Sequence, residues 1–243
     1  MFKKYFKYLW AYNKRLRQKY IFDVAVMLKG SVNRFLDLGC DDGSFTMQIG
    51  AVCHPKEVYG IEIKGPRAAL AEQKGMQVKN SDLNEKFPFE SSNFDLIISD
   101  QVIEHLVNLD NFVSEIKRVL KPGGYTVICT ENLASPHNIF ALMLGMQPFT
   151  GPNLSSKYQV GYRPLGLKHG EKNIYDTPLD EIEDHKKVMT YKALLALFKA
   201  HGLEIISGEG FGYLPFPGLM GKILGKLDKN HSQFIAVLAR KPT

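Results

Sequence analysis

The chain has 243 residues, room for one sizeable domain with an elaborated cap, and its 44% hydrophobic and 23% charged residues mark an ordinary globular composition. No apolar run approaches the roughly 18 residues of a membrane span, and the start MFKKYFKYLW lacks a signal-peptide pattern. Three cysteines (Cys40, Cys53, Cys129) without metal-type spacing read as reduced thiols of a cytoplasmic protein.

Charge is concentrated at the start. Residues 1–30 hold eight Lys/Arg against Asp23, a local +7 within a net charge of +6, so the remainder is nearly neutral. Phe2, Phe6, Leu9, Leu16 and Tyr20 recur near helical spacing among these lysines, predicting a helix over 2–28. Residues 1–30 are read as a basic helical arm ahead of a domain spanning 31–243. Packed on the domain, the arm presents a solvated basic face. Free, it suits peripheral contact with an anionic membrane, such as the inner membrane surface, or with a polyanion.

From residue 34 strands and helices alternate. Strands are predicted at Arg34–Leu38, Glu57–Ile63, weakly at MQVKN (76–80), at FDLIIS (94–99) and at YTVICT (125–130). Helices fall at SFTMQIGAV, at PRAALAEQKG ending at Gly75, and over 109–120 before the PGG turn. Residues 131–189 break this rhythm with Pro136, Pro148, Pro152, Pro164 and Pro178 among glycines; only 137–146 reads as helical, and the stretch is expected to be an inserted lid. Then come the helix TYKALLALFKAHG, the strand LEIISGEGF and the strand QFIAVLAR. The last connection is short for a crossover, which favours an antiparallel last strand. The fold class is α/β: a doubly wound, mostly parallel seven-stranded sheet, Rossmann-like, with that antiparallel last strand and the lid.

The loop LDLGCDDGSF follows the first strand, where open parallel sheets bind ligands. It lacks G-x-G-x-x-G and the Lys-Ser/Thr of a phosphate loop, and its acids repel phosphate. A cationic ligand fits: S-adenosylmethionine carries a sulfonium and an ammonium, and glycines let backbone approach closely. Glu62, ending the second strand, suits two ribose hydroxyls, and Asp82, after the third, suits the adenine amino group.

LDLGCDDG (36–43), VYGIEI (58–63), SDLNEKFPF (81–89), FDLIISDQVIEHL (94–106) and RVLKPGG (118–124) together resemble the class I S-adenosylmethionine-dependent methyltransferases, of the type 11-like group. The resemblance implies that Asp37, Gly39, Asp41 and Gly43 hold the methionine part, Glu62 and Ile63 the ribose, Asp82 and Leu83 the adenine, and Ser99 the cofactor edge. Asp42 departs from the family's small residue there. After residue 131, ENLASPHNIFALMLGMQPF, HKKVMTYKALLALFKAHG and YLPFPG resemble methyltransferases of microbial surface-glycan clusters.

SDQVIEHL replaces the Pro-Pro-aromatic motif of amide methylation, and no Pro-Cys nucleophile occurs, so an oxygen acceptor is expected: a small molecule, or a glycan or lipid-linked sugar hydroxyl. Some small-RNA 2′-O-methyltransferases and ubiquinone-pathway O-methyltransferases carry Glu-x-x-Glu-His here and bind a divalent metal. This chain has Gln101, Glu104 and His105, with His137 as a possible further ligand. Loss of the first carboxylate removes a hard oxygen ligand, and no metal site is assigned. Acid–base candidates are His105, His185 and His137; His169 and His231 read as loop residues, and Tyr158, Tyr162, Arg163 and Tyr175 as lid wall. An RNA acceptor is disfavoured by Gln101 and the near-neutral domain. A catalytically silent partner-binding protein is the remaining alternative.

Overall fold

The computed structural model describes residues 2–152, 154 and 185–243. Tyr158, Tyr162, Arg163, His169 and Tyr175, and with them most of the expected lid, lie outside the described residues.

Seven strands form one sheet: β1 (Arg34–Leu38), β2 (Glu57–Ile61), β3 (Gln77–Lys79), β4 (Phe94–Asp100), β5 (Leu120–Glu131), β6 (Glu204–Phe211) and β7 (Phe234–Arg240), in the order β3-β2-β1-β4-β5-β7-β6. The first five are parallel, and β7 lies between β5 and β6, antiparallel to both. Helices α1 (Phe2–Met27), α2 (Ser44–Cys53), α3 (Gly65–Gln73), α4 (Leu109–Val119), α5 (Pro136–Met143), α6 (Tyr191–Ala200) and α7 (Gly218–Leu227) complete the chain's described elements. The sheet is therefore the expected α/β arrangement. The short β6–β7 connection does contain a helix, α7, which the sequence reading left out. Leu120 also pairs with Phe94 before the register shifts, so β5 begins ahead of the predicted YTVICT and carries PGG as an irregularity.

Alternation along the strands decides what each face buries. Leu36, Leu38, Ile97 and Ile128 point with Phe112, Ile116 and Phe198 of α4 and α6 into one core. Phe35, Leu96, Ile98, Val127 and Cys129 point to the other, against Ile21, Val24 and Ala25 of α1 and Ile49 and Cys53 of α2. Asp37, Asp100 and Glu131 share the phase of the second set, which brings three carboxyls to the α1–α2 face at the carboxyl edge of the sheet.

Helix α1 is thus packed onto the sheet. Leu9, Asn13, Arg17 and Ile21 are buried along it, and the Arg17 guanidinium pairs with Asp100 at 2.7 Å while lying 4.5 Å from the centre of the Phe234 ring. Arg17, counted in the sequence among basic arm residues, belongs to the interior. The cysteines are free and buried, and burial pushes the Cys53 thiol up to about 11 and raises that of Cys129 well above its ordinary value.

Candidate active site

The loop after β1 is shaped by backbone that only certain residues adopt. Gly39 and Gly43 have φ of 79° and 75°, and Asp41 lies at 49°. A Cβ on Gly39 would collide with Val102, and one on Gly43 would come within 2.6 Å of Met76 Sδ and 2.9 Å of Ala71. Close packing of the loop against β4's exit and α3 therefore requires glycine here, in addition to any approach by a ligand.

The loop acids divide into two kinds. Asp42 accepts from Ser44 N at 2.9 Å and pairs with Lys74 at 2.9 Å; that lysine contact, first, and the Ser44 bonds hold its carboxyl down at about 2. It ties the residues that lead into α2 to Lys74 at the end of α3. Asp41 faces Arg67 at 3.3 Å on the surface. The sequence reading gave all the loop acids to a cationic ligand; Asp42 is instead committed to a lysine, because a positive-φ turn aims it backward onto α2.

Asp37 and Glu62 are the buried acids. Asp37 accepts from Thr46 Oγ1 at 2.5 Å, and desolvation, with Asp100 and Glu62 nearby, pushes its carboxyl up to about 7. Glu62 accepts from Asp41 N at 3.0 Å on one oxygen and from Lys64 N at 2.9 Å on the other. Each oxygen keeps a second acceptor position, the number a vicinal diol needs. Asn80 Nδ2 donates to the Glu62 and Ile63 carbonyls at 2.7 and 2.9 Å, fixing this turn from β3. Ile63 stands exposed at the rim.

Asp82 uses one oxygen on Asn84 N and Nδ2 at 2.8 and 2.9 Å. Leu83 is buried with Leu38 and Ile61 in the core. Ser99 is fully buried and its hydroxyl donates to Leu38 O at 3.0 Å, strapping β4 to β1 beneath the loop.

On the other side of β4 lies a second cluster. Gln101 has φ of 63°, and a short 3-10 turn, Ile103–His105, follows. Glu104 is buried; one oxygen accepts from Thr130 Oγ1 at 2.8 Å, and the other has no hydrogen-bond partner among the described residues. Burial, chiefly, raises its pKa. The backbone N–H groups of Lys186 and Lys187 donate to Glu104 O at 2.7 and 3.0 Å, bringing His185 alongside. The His105 and His185 rings are 5.0 Å apart, and one ligand-capable atom from each of Glu104, His105 and His185 lies within 4.8 Å of the others. His185 Nδ1 is 2.8 Å from Thr150 O. A carbonyl only accepts, so Nδ1 carries the hydrogen and Nε2 keeps its lone pair.

His137 stands apart from that cluster of three. Its ring stacks on Phe149, and burial lowers its pKa to about 4, leaving it neutral at physiological pH. The group completing the Glu104–His105 cluster is His185, where the sequence pointed to His137. Glu131, absent from the sequence-based candidates, ends β5 with one oxygen buried and unpartnered; burial, then Glu104, pushes it up to about 8.

Known proteins share parts of this chain's sequence and fold. Residues 36–128 match the family described as methyltransferase domain. Over 194 residues the chain is 24% identical to the mitochondrial ubiquinone biosynthesis O-methyltransferase of Rattus norvegicus, covering 76% of this chain and 48% of that protein. It is 28% identical over 192 residues to the ubiquinone biosynthesis O-methyltransferase of Bartonella bacilliformis, covering 75% and 64%. A SAM-dependent methyltransferase from Archaeoglobus fulgidus shares the fold, with a TM-score of 0.59 over 95% of this chain and 93% of that one at 19% identity.

Residues 36–128 therefore read as a methyltransferase domain. S-adenosylmethionine is the cofactor that the name of the Archaeoglobus fulgidus neighbour gives. The chain spans about half the length of the curated relatives it matches.

The crevice suits that cofactor chemically: two buried carboxyls sit beside the glycine turn, and Glu62 retains the acceptor capacity a ribose requires. In this methyltransferase domain the structure brings Asp37, Gly39, Asp41, Gly43, Glu62 and Ile63 around one turn. Asn80, Arg17 and Glu131 are neighbours that sequence reasoning missed. Asn80 had a local signal, an amide directly after β3; Arg17 and Glu131 had none, because their burial depends on strand phase and on contacts distant in sequence.

Proposed function

We propose that this chain transfers the methyl group of S-adenosylmethionine to a hydroxyl of a small-molecule acceptor. The observation that carries the reading is the cluster of Glu104, His105 and His185 at the exit of β4, beside the cofactor turn. An oxygen acceptor must lose a proton, and this cluster offers the His185 imidazole, whose Nδ1 is engaged by Thr150 O, to receive it at Nε2. The printed names of the relatives, ubiquinone biosynthesis O-methyltransferases, point the same way.

When bound, S-adenosylmethionine supplies an activated methyl on sulfur. Glu62 holds the ribose through its remaining lone pairs, and Asp37 sets a negative potential under the turn. Asp82 and Leu83 are assigned to the adenine, and the loop Gly39–Gly43 to the methionine part. His185 receives the hydroxyl proton at Nε2, with Nδ1–H anchored on Thr150 O. His105 packs beside it, with the two rings 5.0 Å apart, and the buried Glu104 carboxyl lies next to both. Alignment and exclusion of water account for the rest.

A second reading is favoured by the same cluster. One carboxylate oxygen and two imidazole nitrogens within 4.8 Å form a donor set suited to a borderline divalent ion such as zinc, iron or nickel rather than magnesium. Glu104, His105 and His185 would hold such an ion, and it would supply Lewis-acid polarisation of an acceptor oxygen. The unpartnered Glu104 oxygen fits this reading.

The test is a labelled-methyl assay on fractionated cell extract, with small-molecule, lipid, glycan, RNA and protein pools counted separately. Label in an ether linkage of a small molecule supports the first reading; label confined to RNA or protein overturns it. Activity abolished by a chelator and restored by one divalent ion selects the metal-assisted form, and activity indifferent to chelation removes it.

A further inference from the structure

Strand register sets the geometry of a face the cofactor site does not use. Glu131 of β5 and Phe211 of β6 both lie opposite Phe234 of β7, so the chain leaves β5 and β6 from the same edge, the carboxyl edge that carries the cofactor turn. After β5 it forms α5; after β6 it forms the Tyr213–Phe216 turn and then α7. Between α5 and that turn lies an open cavity of about 350 Å³ lined by Ile139, Phe140, Met143, Leu214 and Phe216. The amino-terminal end of α1 joins it, with Tyr5 Oη donating to Pro215 O at 2.8 Å and the Trp10 ring beside Phe234.

The rim of this cavity is apolar and open. Phe140 is 58% exposed and Met143 79% on α5, while Leu219, Ile223 and Leu227, one stripe of α7 at four-residue spacing, are 68%, 48% and 79% exposed. Tyr8 and Trp10 are exposed on α1. Exposed apolar side chains this numerous on α5, α7 and α1, which gather about the Tyr213–Phe216 turn, mark a contact surface. Charge indicates what it contacts. Residues 2–22, 132–152 and 212–227 contain no Asp or Glu, whereas Lys4, Lys7, Lys222 and Lys226 stand exposed among the apolar side chains.

We propose that this face docks on an anionic lipid bilayer, with the α7 stripe, Phe140 and Met143 entering the acyl boundary and the lysines lying in the headgroup layer. Aromatic and lysine side chains around an apolar stripe are the composition of an interfacial surface, since rings sit at headgroup depth and lysine stems extend to the phosphates. A second copy of the chain is a poorer occupant: a two-fold contact would set the same lysines against each other. Contact is peripheral, since among the described residues no helix is long and apolar enough to cross a membrane. The face adjoins the acceptor side of the site through α5, whose Asn138 bonds Thr150, the residue that also anchors His185. The inference rests on the exposure of this face, independently of the acceptor proposed above.

The experiment is vesicle sedimentation of the full chain, without cofactor. The expected result is binding to vesicles of phosphatidylcholine and phosphatidylglycerol in equal parts, loss of binding in high salt, and none to phosphatidylcholine alone. L219E/I223E and, separately, K222E/K226E should each weaken binding about tenfold or more, each lysine near the surface contributing roughly a fivefold factor. L70E, the same kind of exchange on α3, should leave it unchanged. Circular dichroism and S-adenosylmethionine calorimetry on the variants check that each is folded, which separates failure here from failure of the methyltransferase reading. No binding to anionic vesicles, or binding that survives L219E/I223E, overturns the proposal. So does a solution dimer that the same variant dissociates while vesicles are ignored.

Discussion

Replacing Glu62 by Gln isolates one carboxylate in the cofactor crevice. Its two oxygens accept from Asp41 N and Lys64 N at 3.0 and 2.9 Å, and each has one position left for a ribose hydroxyl. An amide keeps one acceptor oxygen; its NH2 removes the partner of one hydroxyl and sets a donor against one of the two backbone N–H groups. Hydrogen bonds to a charged group contribute about 1.5–3 kcal/mol. A loss of about 2–3 kcal/mol weakens S-adenosylmethionine binding about 30- to 150-fold, at 1.4 kcal/mol per decade. Isothermal titration calorimetry reads this directly, with Asp42→Asn as the comparison. Asp42 is tied to Lys74 and Ser44, so its loss should lower stability by about 0.5–1 kcal/mol, the size of a partly exposed ion pair with its hydrogen bonds, and leave affinity nearly unchanged. Equal losses of affinity in the two variants would refute the division of the loop acids. A dissociation constant for Glu62→Gln within about threefold of the parent would refute the ribose assignment.

The remaining predictions concern the acceptor side and the buried charges. His185→Gln should lower kcat by about 10²-fold or more with little change in cofactor affinity, while His137→Gln, at a position already neutral, should leave the pH profile of kcat in place; rapid-mix kinetics across pH 5–9 compares them. Arg17→Met strands Asp100 in the interior and should cost about 3–5 kcal/mol in urea unfolding, most of it recovered in Arg17→Met/Asp100→Asn. Asp37, raised from 3.8 to about 7 in the fold, binds a proton more tightly folded than unfolded. Its contribution to stability is complete below about pH 4 and is lost as pH rises through about 7. The unfolding free energy of the parent relative to Asp37→Asn should therefore fall between pH 4 and 7; a difference that rises with pH contradicts the burial argument.

Strand and helix periodicity was legible because most β-strands here are buried on both faces and end in glycine, proline or acid. The parallel character of the sheet followed from the alternation of strands and helices, and the three acids Asp37, Glu62 and Asp82 from their places at successive strand ends, whereas the strand order was first given by the structure. Less legible was anything set by phase between distant elements. Arg17 sits in a run of lysines and looks solvated; only when Asp100 is placed on the α1 face of β4 does its burial follow. His185 and His137 are both plausible in sequence, and the choice between them is made by two backbone bonds from residues 186 and 187 to the Glu104 carbonyl. Helix α7 was missed because its small and apolar residues, GLMGKILGKL, make a connector as easily as a helix.

The same phase argument bears on why a methyl-donor site gathers so many acids. Asp37, Asp100 and Glu131 all point to the α1–α2 face, where Arg17 is buried with them and pairs with Asp100. Burial compensates by keeping Asp37 and Glu131 partly protonated near neutrality, at about 7 and about 8. An anion arriving at this edge would push those carboxyls further toward the neutral form and gain little. A sulfonium or ammonium does the reverse: it favours the carboxylates and so draws protons out of the site as it binds. The raised carboxyls and the cationic ligand are two sides of one electrostatic equilibrium, and the local cost of crowding acids under the turn is offset only when that positive charge is present.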